Sequence, residues 1–412
     1  MKKIIVLTIY NTKNNGSAMM GINAIDFYHH YFKKDVKFYC DFETKEDQDR
    51  ILLESEGDIK VEILNLPKFH RGKNIYTSIK NRIIWLNNII SHIKKYNIDA
   101  IIVLGGDDFS EYYSGFKIVM RLYIMYRLSL NFPVYLIGHT IGPFKSWRKK
   151  AFEVLMKRCR IITRDRLSLD HCQNDLNHNH TIQGHDLAWF NLPKQSQELQ
   201  DKMLQKYNLF DKKYITITPS ALVSHYTNND EDYYGTFKKI IEGLLEQDYY
   251  IVLMPHVFSD KKFDDVNAIK EIKKRIFHNN EILFIEEELL PSECRAIVSK
   301  GYMTISCRMH SAVSTLQTST PVIALSYSAK YSGVIGQDIG MPELIIESRN
   351  NKLWKYVITN KVLEKVKYIS ADYENIKKQI SIRVKSIQEN ETKILANCGD
   401  SIEKNKGRLF LD

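Results

Sequence analysis

The chain has 412 residues, 44% of them hydrophobic and 26% charged, with 59 Lys and Arg against 49 Asp and Glu. That length gives room for two domains of ordinary size, and that composition excludes a disordered chain. No uninterrupted apolar run reaches the roughly 18 residues of a membrane span. The six cysteines are scattered without a CxxC spacing, which argues against a zinc site and for a reducing cytoplasm.

The chain opens on MKKIIVLTIYNTKNNG, which begins like a signal peptide but lacks a long apolar run and a small-residue cleavage site. It reads as a first β-strand, Ile4 to Ile9, running into a loop. Asn15-Gly16-Ser17 then opens a helix, with Gly16 allowing close backbone approach and Ser17 placed as its N-cap. Further strands are predicted at Val36–Cys40, Val61–Leu66, Ala100–Leu104, Val134–Ile137 and Ile161–Thr163. Helices fit between them, most clearly Ile75–Tyr96, whose apolar positions recur every three or four residues. Gly105-Gly106-Asp107-Asp108, Gly138-His139-Thr140 and Arg164-Asp165 each follow one of these strands. From Lys117 to Arg166 the chain carries twelve Lys or Arg against Glu153 and Asp165. Such a local basic field attracts anions, either a membrane surface or a pyrophosphate-bearing substrate, whereas no module for nucleic acid accompanies it. Gly115 to Leu130 is the candidate membrane-contact helix, with core packing the competing reading.

Around Asp186 to Lys194 the pattern becomes polar, and a Gln- and Lys-rich helix follows to about Asn208. A second strand series begins there: Tyr214–Thr218, Tyr249–Leu253, Ile282–Ile285, Tyr302–Ile305 and Val322–Leu325. Short β-branched runs alternating with amphipathic segments are the signature of parallel βα units. The expected fold is α/β, with two doubly wound Rossmann-like domains facing a cleft. The expected bounds are 1–193, a linker or hinge at 194–207, a second domain at 208–350, and C-terminal helices at 351–412 with a frayed end beyond Gly399.

The most informative stretch is Ser306 to Lys330. Arg308 and His310 follow an apolar run and sit where a helix should begin, where unpaired N–H groups and the helix dipole favour anions. Lys330 follows the next buried strand. Ligands of open parallel sheets collect beyond the carboxyl ends of the strands, so these three groups are expected to converge. Met254-Pro255-His256 ends another strand of the same series, with Asp264-Asp265 just downstream.

These residues together resemble the polysaccharide pyruvyl transferase family. The matching elements are NNGSA, LGGDD, GHTIGPF, TRDRLS, GHDLAWF, LMPHVFSD and SCRMH…TSTPVIALSYSAKYSGVIGQDIGM, in the family's order over roughly residues 14 to 341. Two departures are Asp107, where the family usually has a third Gly, and His139, where Gln is common. The resemblance implies a fold like that of GT-B glycosyltransferases. It also implies transfer of pyruvyl from phosphoenolpyruvate to a sugar of a cell-surface polysaccharide or its lipid-linked precursor, closing a cyclic ketal and releasing phosphate. The expected roles are His310 as general acid/base with His256 in support, and Arg308, Lys330, Tyr327 and Ser306 for the donor. Asn15, Gly16, Asp107, Asp108, His139 and Arg164 would face the acceptor from the N-terminal domain. Phosphoenolpyruvate is a co-substrate in this scheme, which needs no metal or other cofactor. The implied location is cytoplasmic, with the inner face of the cytoplasmic membrane as a possible site of peripheral contact. The rival readings are a GT-B glycosyltransferase using a nucleotide sugar and a non-catalytic anion- or glycan-binding protein.

Overall fold

The computed structural model of the protein describes residues 1–67, 75–111, 115–258, 264–277, 280–328 and 330–405. The chain divides into two compact units. The first comprises Met1–Thr12, Met20–Asp186 and Asn390–Asp412, and the second Lys13–Met19 and Leu187–Glu389.

The first unit carries β1 (Lys2–Leu7), β2 (Val36–Cys40), β3 (Val61–Ile63), β4 (Ala100–Leu104), β5 (Val134–His139), β6 (Arg160–Thr163) and β7 (Thr181–Gln183). They pair in parallel in the order β3-β2-β1-β4-β5-β6-β7. Every residue of β4 and β5 is buried. That burial on both faces explains why they read as continuous apolar runs and not as alternation. The order reverses between β1 and β4, so the loops leaving these strands diverge and open a crevice at the sheet's carboxyl edge. The helix Gly115–Ser129 sends Ile118, Leu122, Met125 and Leu128 into the core, which favours the core-packing reading of that segment.

The second unit carries β8 (Tyr214–Thr218), β9 (Tyr250–Leu253), β10 (Ile282–Phe284), β11 (Met303–Ser306), β12 (Val322–Ser326) and β13 (Ile345–Glu347). They are also parallel, in the order β10-β9-β8-β11-β12-β13, with the reversal between β8 and β11. The loop that ends in the Arg308–His310 motif leaves β11 at this reversal.

Several expectations need correction. The chain passes between units at Asp186–Leu187. The stretch 194–207 is no hinge: its helix Gln197–Lys206 buries Met203 and Leu204 in a core shared with Ile297 and Val298. The stretch 351–412 is no separate appendage, since it belongs to the second unit as far as Glu389 and to the first from Asn390. Its last helix, Tyr373–Asn405, runs through Gly399, where fraying was expected; residues 406–412 lie outside the described residues. The first helix begins at Asn15, which places Ser17 inside its first turn and not at the cap. The strands β7 and β13 were not anticipated. They are short, and each ends on a polar residue, Gln183 or Glu347, so neither stands out as an apolar run.

The basic run from Lys117 to Arg166 is also altered by folding. Arg121 pairs with Asp108, Arg148 with Glu111, Lys149 with Asp175, Lys150 with Glu153, Arg164 with Asp186 and Arg166 with Asp170. Most of these carboxylates come from outside the run, so the net field is weaker than the linear sequence implies. No helix among the described residues is long and apolar enough to cross a membrane.

Candidate active site at the carboxyl edge of the second sheet

β11 ends at Ser306, whose buried hydroxyl accepts from Thr218 Oγ1 on the neighbouring β8 at 2.7 Å. The same hydroxyl accepts from Arg308 N at 3.1 Å and donates to Arg308 O at 2.8 Å. Ser306 therefore shapes the turn that presents Arg308, and its hydroxyl is already engaged there instead of being offered to a donor. Arg308 is the N-cap residue of the helix Met309–Gln317, where the sequence placed a helix start.

The Arg308 side chain is held by Asp265. Its Nε lies 3.2 and 3.1 Å from the two carboxylate oxygens and its Nη2 lies 2.5 Å from Oδ1. Asp265 is fully buried, and its oxygens also accept from Ala221 N at 3.0 Å and Val257 N at 2.9 Å. Burial disfavours the Arg308 charge, but the adjacent Asp265 carboxylate outweighs it and holds the guanidinium more firmly protonated than usual. Asp265 was not among the expected site residues. The Asp264-Asp265 pair was a visible signal, but Asp264 alone caps the helix Asp265–Lys273, and only folding separates the two roles.

His310 lies in the first turn of the helix that Arg308 caps, and its ring packs on Gly16. A Cβ placed on Gly16 would stand 2.2 Å from His310 Nδ1 and 2.9 Å from His310 Cβ. The close approach that the Asn15-Gly16 pair seemed to require is thus an approach to the imidazole. Asn15 is buried, donates its backbone N–H to His256 O at 3.3 Å, and donates Nδ2 to Leu289 O at 3.3 Å. Phe258 N donates to Lys13 O at 2.9 Å beside it. This corrects the expectation that Asn15 and Gly16 face an acceptor from the N-terminal domain. They belong to the second unit and pack against its two candidate histidines.

His256 is 2% exposed, and among the described residues neither of its ring nitrogens has a hydrogen-bond partner. Burial, reinforced by His310, Arg308 and Arg295, holds its pKa well below the usual imidazole value, so it is neutral at physiological pH. The fourth group is Lys330, whose Nζ donates to Tyr327 Oη at 2.8 Å and sits 4.9 Å from that ring's centroid. Tyr327 contacts Tyr226 at 5.2 Å between centroids. Tyr226 and Tyr331 both donate to Cys307 O, the carbonyl just before Arg308. Tyr327 also acts on the Arg308 charge, as Arg308 and His310 act on His256. Lys330 is thus linked through Tyr327 and Tyr226 to the carbonyl that precedes Arg308, while His256, Arg308 and His310 lie just beyond the ends of β9 and β11.

The expected acceptor residues of the first unit divide differently. Arg164 is 1% exposed, with Nη1 2.9 Å from the fully buried Asp186 and Nε 2.9 Å from Thr140 Oγ1. Its charge is already compensated, so it is a buried structural cation and not an open contact for an acceptor. His139 is equally buried, with Nε2 3.1 Å from Val103 O, and burial pushes its pKa down to about 3. It is a neutral core histidine. Asp107 and Asp108 stay on the loop after β4 at the reversal point, with Asp108 2.7 Å from Arg121 at half-exposed positions. Gly105 of this loop is required by crowding, because a Cβ there would lie 1.8 Å from Gly138 O. Sequence reasoning also missed Asp41, which accepts from Thr8 N at 2.8 Å and Ile9 N at 3.2 Å; burial raises its pKa to about 6.

Comparison with known proteins places this geometry in a family. The chain is 24% identical over 327 residues to the amylovoran biosynthesis protein AmsJ of Erwinia amylovora, an alignment covering 77% of this chain and 76% of the relative. Its fold resembles a glycosyltransferase from Rickettsia africae, with a TM-score of 0.60, 14% identity, and 99% of each chain covered. It also resembles the UDP-GlcNAc 2-epimerase of Neisseria meningitidis bound to UDP-GlcNAc, with a TM-score of 0.55, 15% identity, and 95% and 100% of the two chains covered. Its two parallel-sheet α/β units are thus those of GT-B glycosyltransferases and epimerases. The model of the polysaccharide pyruvyl transferase family matches residues 50–329. The chain is a polysaccharide-modifying transferase and belongs to the polysaccharide pyruvyl transferase family.

Proposed function

We propose that the protein transfers a pyruvyl group from phosphoenolpyruvate to a sugar of a surface polysaccharide or its lipid-linked precursor, forming a cyclic ketal. The observation that carries this reading is Arg308, fixed by Asp265, at the head of the helix that carries His310 where the second sheet reverses, with His256 and the Lys330–Tyr327 pair on the loops after β9 and β12. Phosphoenolpyruvate brings a carboxylate and a phosphate, so its site needs fixed cations. Arg308 is oriented by its fork onto Asp265, whose carboxylate keeps it charged while offsetting part of its positive potential. Lys330, steadied by Tyr327, therefore shares the load as a point charge for the phosphate.

Protonation of the enol methylene turns C3 into a methyl group and leaves a cationic centre at C2. One sugar hydroxyl adds there and gives up its proton, replacing the proton consumed at C3. The C2–O bond to phosphate then breaks, the second hydroxyl adds, and its proton leaves with the phosphate. Imidazole is suited to giving and taking these protons near neutral pH. We assign the shuttle to His310, the half-exposed histidine, and a supporting role to the buried neutral His256. The proposed place of action is the cytoplasmic side of the membrane, where such precursors are assembled.

The test is incubation of the purified protein with phosphoenolpyruvate and the host's glycan precursor. Phosphate release with addition of a ketal-linked pyruvate supports the reading. Full turnover by His310→Ala removes the acid/base assignment. Thermal stabilisation by UDP-sugars but not by phosphoenolpyruvate would replace the donor with a nucleotide sugar.

A further inference from the structure

We propose that a polar pocket beside Tyr327 binds an anionic sugar unit, so that the acceptor carries its own negative charge. This deepens the pyruvyl-transfer reading and rests on it. The cavity, of about 550 Å³, lies between the segment Ser224–Asn228, which follows β8, and the segment Arg349–Lys352, which follows β13. That volume is in the range of sites for small molecules, and it leaves room for one or two sugar rings.

The lining determines the ligand class. Ser224 and Asn228, both exposed, offer hydroxyl and carboxamide groups that can both donate and accept, as sugar hydroxyls require. Tyr226, buried behind this wall against Tyr327 and Trp354, fixes its shape. Arg349 and Lys352 are the charged residues of the wall, which contains no carboxylate. Among the described residues neither cation has an ion-pair partner; Glu347, the nearest acid in sequence, accepts from the Arg349 backbone N–H at 3.1 Å. Two uncompensated cations on a concave polar wall focus positive potential into it.

The pocket is preformed, and Tyr226 of its wall separates it from Tyr327. Asn228 N donates to Asn351 Oδ1 at 2.8 Å, which ties the two segments together. Tyr226 is 2% exposed and stacks edge-on against Tyr327, whose hydroxyl receives Lys330. A sugar seated here is one tyrosine ring removed from Tyr327, which holds the Lys330 assigned to phosphoenolpyruvate. The shared chemistry is an anionic hexose, whether its charge is a carboxylate or a phosphate.

The experiment is calorimetric titration of the full chain with glucose, glucuronate, glucose 1-phosphate and inorganic phosphate, at two salt concentrations. The expected result is that at least one anionic sugar binds and glucose does not, with affinity falling as salt rises. Arg349→Gln and Lys352→Gln should each weaken that binding roughly three- to fivefold, the range of an exposed ion pair. Binding of glucuronate alone identifies a carboxylate sugar, and binding of glucose 1-phosphate alone identifies a sugar phosphate. Equal binding of glucose, unchanged affinity in both variants, or phosphate matching glucose 1-phosphate overturns the proposal. Titration with phosphoenolpyruvate runs in parallel. Its failure to bind would sink the donor assignment alone, while failure of every anionic sugar would sink only the pocket assignment.

Discussion

Replacing Gly16 by Ala tests whether the first turn of the N-terminal helix sets the position of His310. The added methyl would sit 2.2 Å from Nδ1, 2.6 Å from Cγ and 2.9 Å from Cβ of His310. Rotation of the ring about Cα–Cβ leaves Cβ in place, so the side chain and some backbone must retreat by about 1 Å to restore ordinary contact distances. The stability effect is small because opposing terms nearly cancel. Ala is favoured over Gly inside a helix by about 1 kcal/mol, and overpacking costs about 1–3 kcal/mol. Catalysis is far more sensitive, since a 1 Å misplacement of a reacting group costs about 100-fold. The assay is phosphate release from phosphoenolpyruvate with the glycan precursor, alongside thermal unfolding and NMR of the imidazole nitrogens. The expected outcome is a fall in kcat near 100-fold, shifted His310 nitrogen signals, and a melting temperature within a few degrees of the parent. Unchanged His310 signals and unchanged turnover would refute the reasoning.

Asp265→Asn leaves the Arg308 guanidinium largely buried beside a neutral amide, and breaking a buried pair in this way costs about 3–5 kcal/mol. Urea denaturation should register that loss, and an unchanged midpoint would show that the pair carries little weight. Gly105→Ala drives a methyl into the Gly138 carbonyl and should destabilise by about 3 kcal/mol or prevent folding. Gly106→Ala, with nothing nearer than 3.9 Å, should be tolerated; equal effects of the two substitutions on the melting temperature would contradict this account. His139 links stability to pH. Its folded pKa of about 3 lies below the unfolded value near 6.5, so the unfolded chain takes up the proton first. Its contribution is therefore fully present above about pH 6.5 and is lost as pH falls toward 3, reaching about 2 kcal/mol of loss at pH 5. His139→Gln, which keeps a donor for Val103 O, should lose less stability than the parent between pH 7 and 5, and parallel stability curves would rule the linkage out.

Much of the scaffold was readable from local pattern. Val36–Cys40, Ala100–Leu104 and Tyr214–Thr218 lie where their apolar runs indicated, because strands buried on both faces need continuous β-branched residues. The helix start at Arg308 and His310 was legible for the same kind of reason, since a strand-to-helix turn leaves a local signature. What the chain's order does not contain is which distant groups meet. Asp265 reaches Arg308 across 43 positions, Gly16 meets His310 from the opposite end of the sequence, and Asp186 takes the charge of Arg164 that the linear pattern assigned to an acceptor. The basic run loses much of its field to carboxylates supplied from elsewhere in the fold. Secondary structure follows from short-range sterics and hydrophobic period, which a sequence displays directly. Charge compensation, burial and close approach arise only when strand order brings remote loops together, so the surroundings of these residues were decided by tertiary structure.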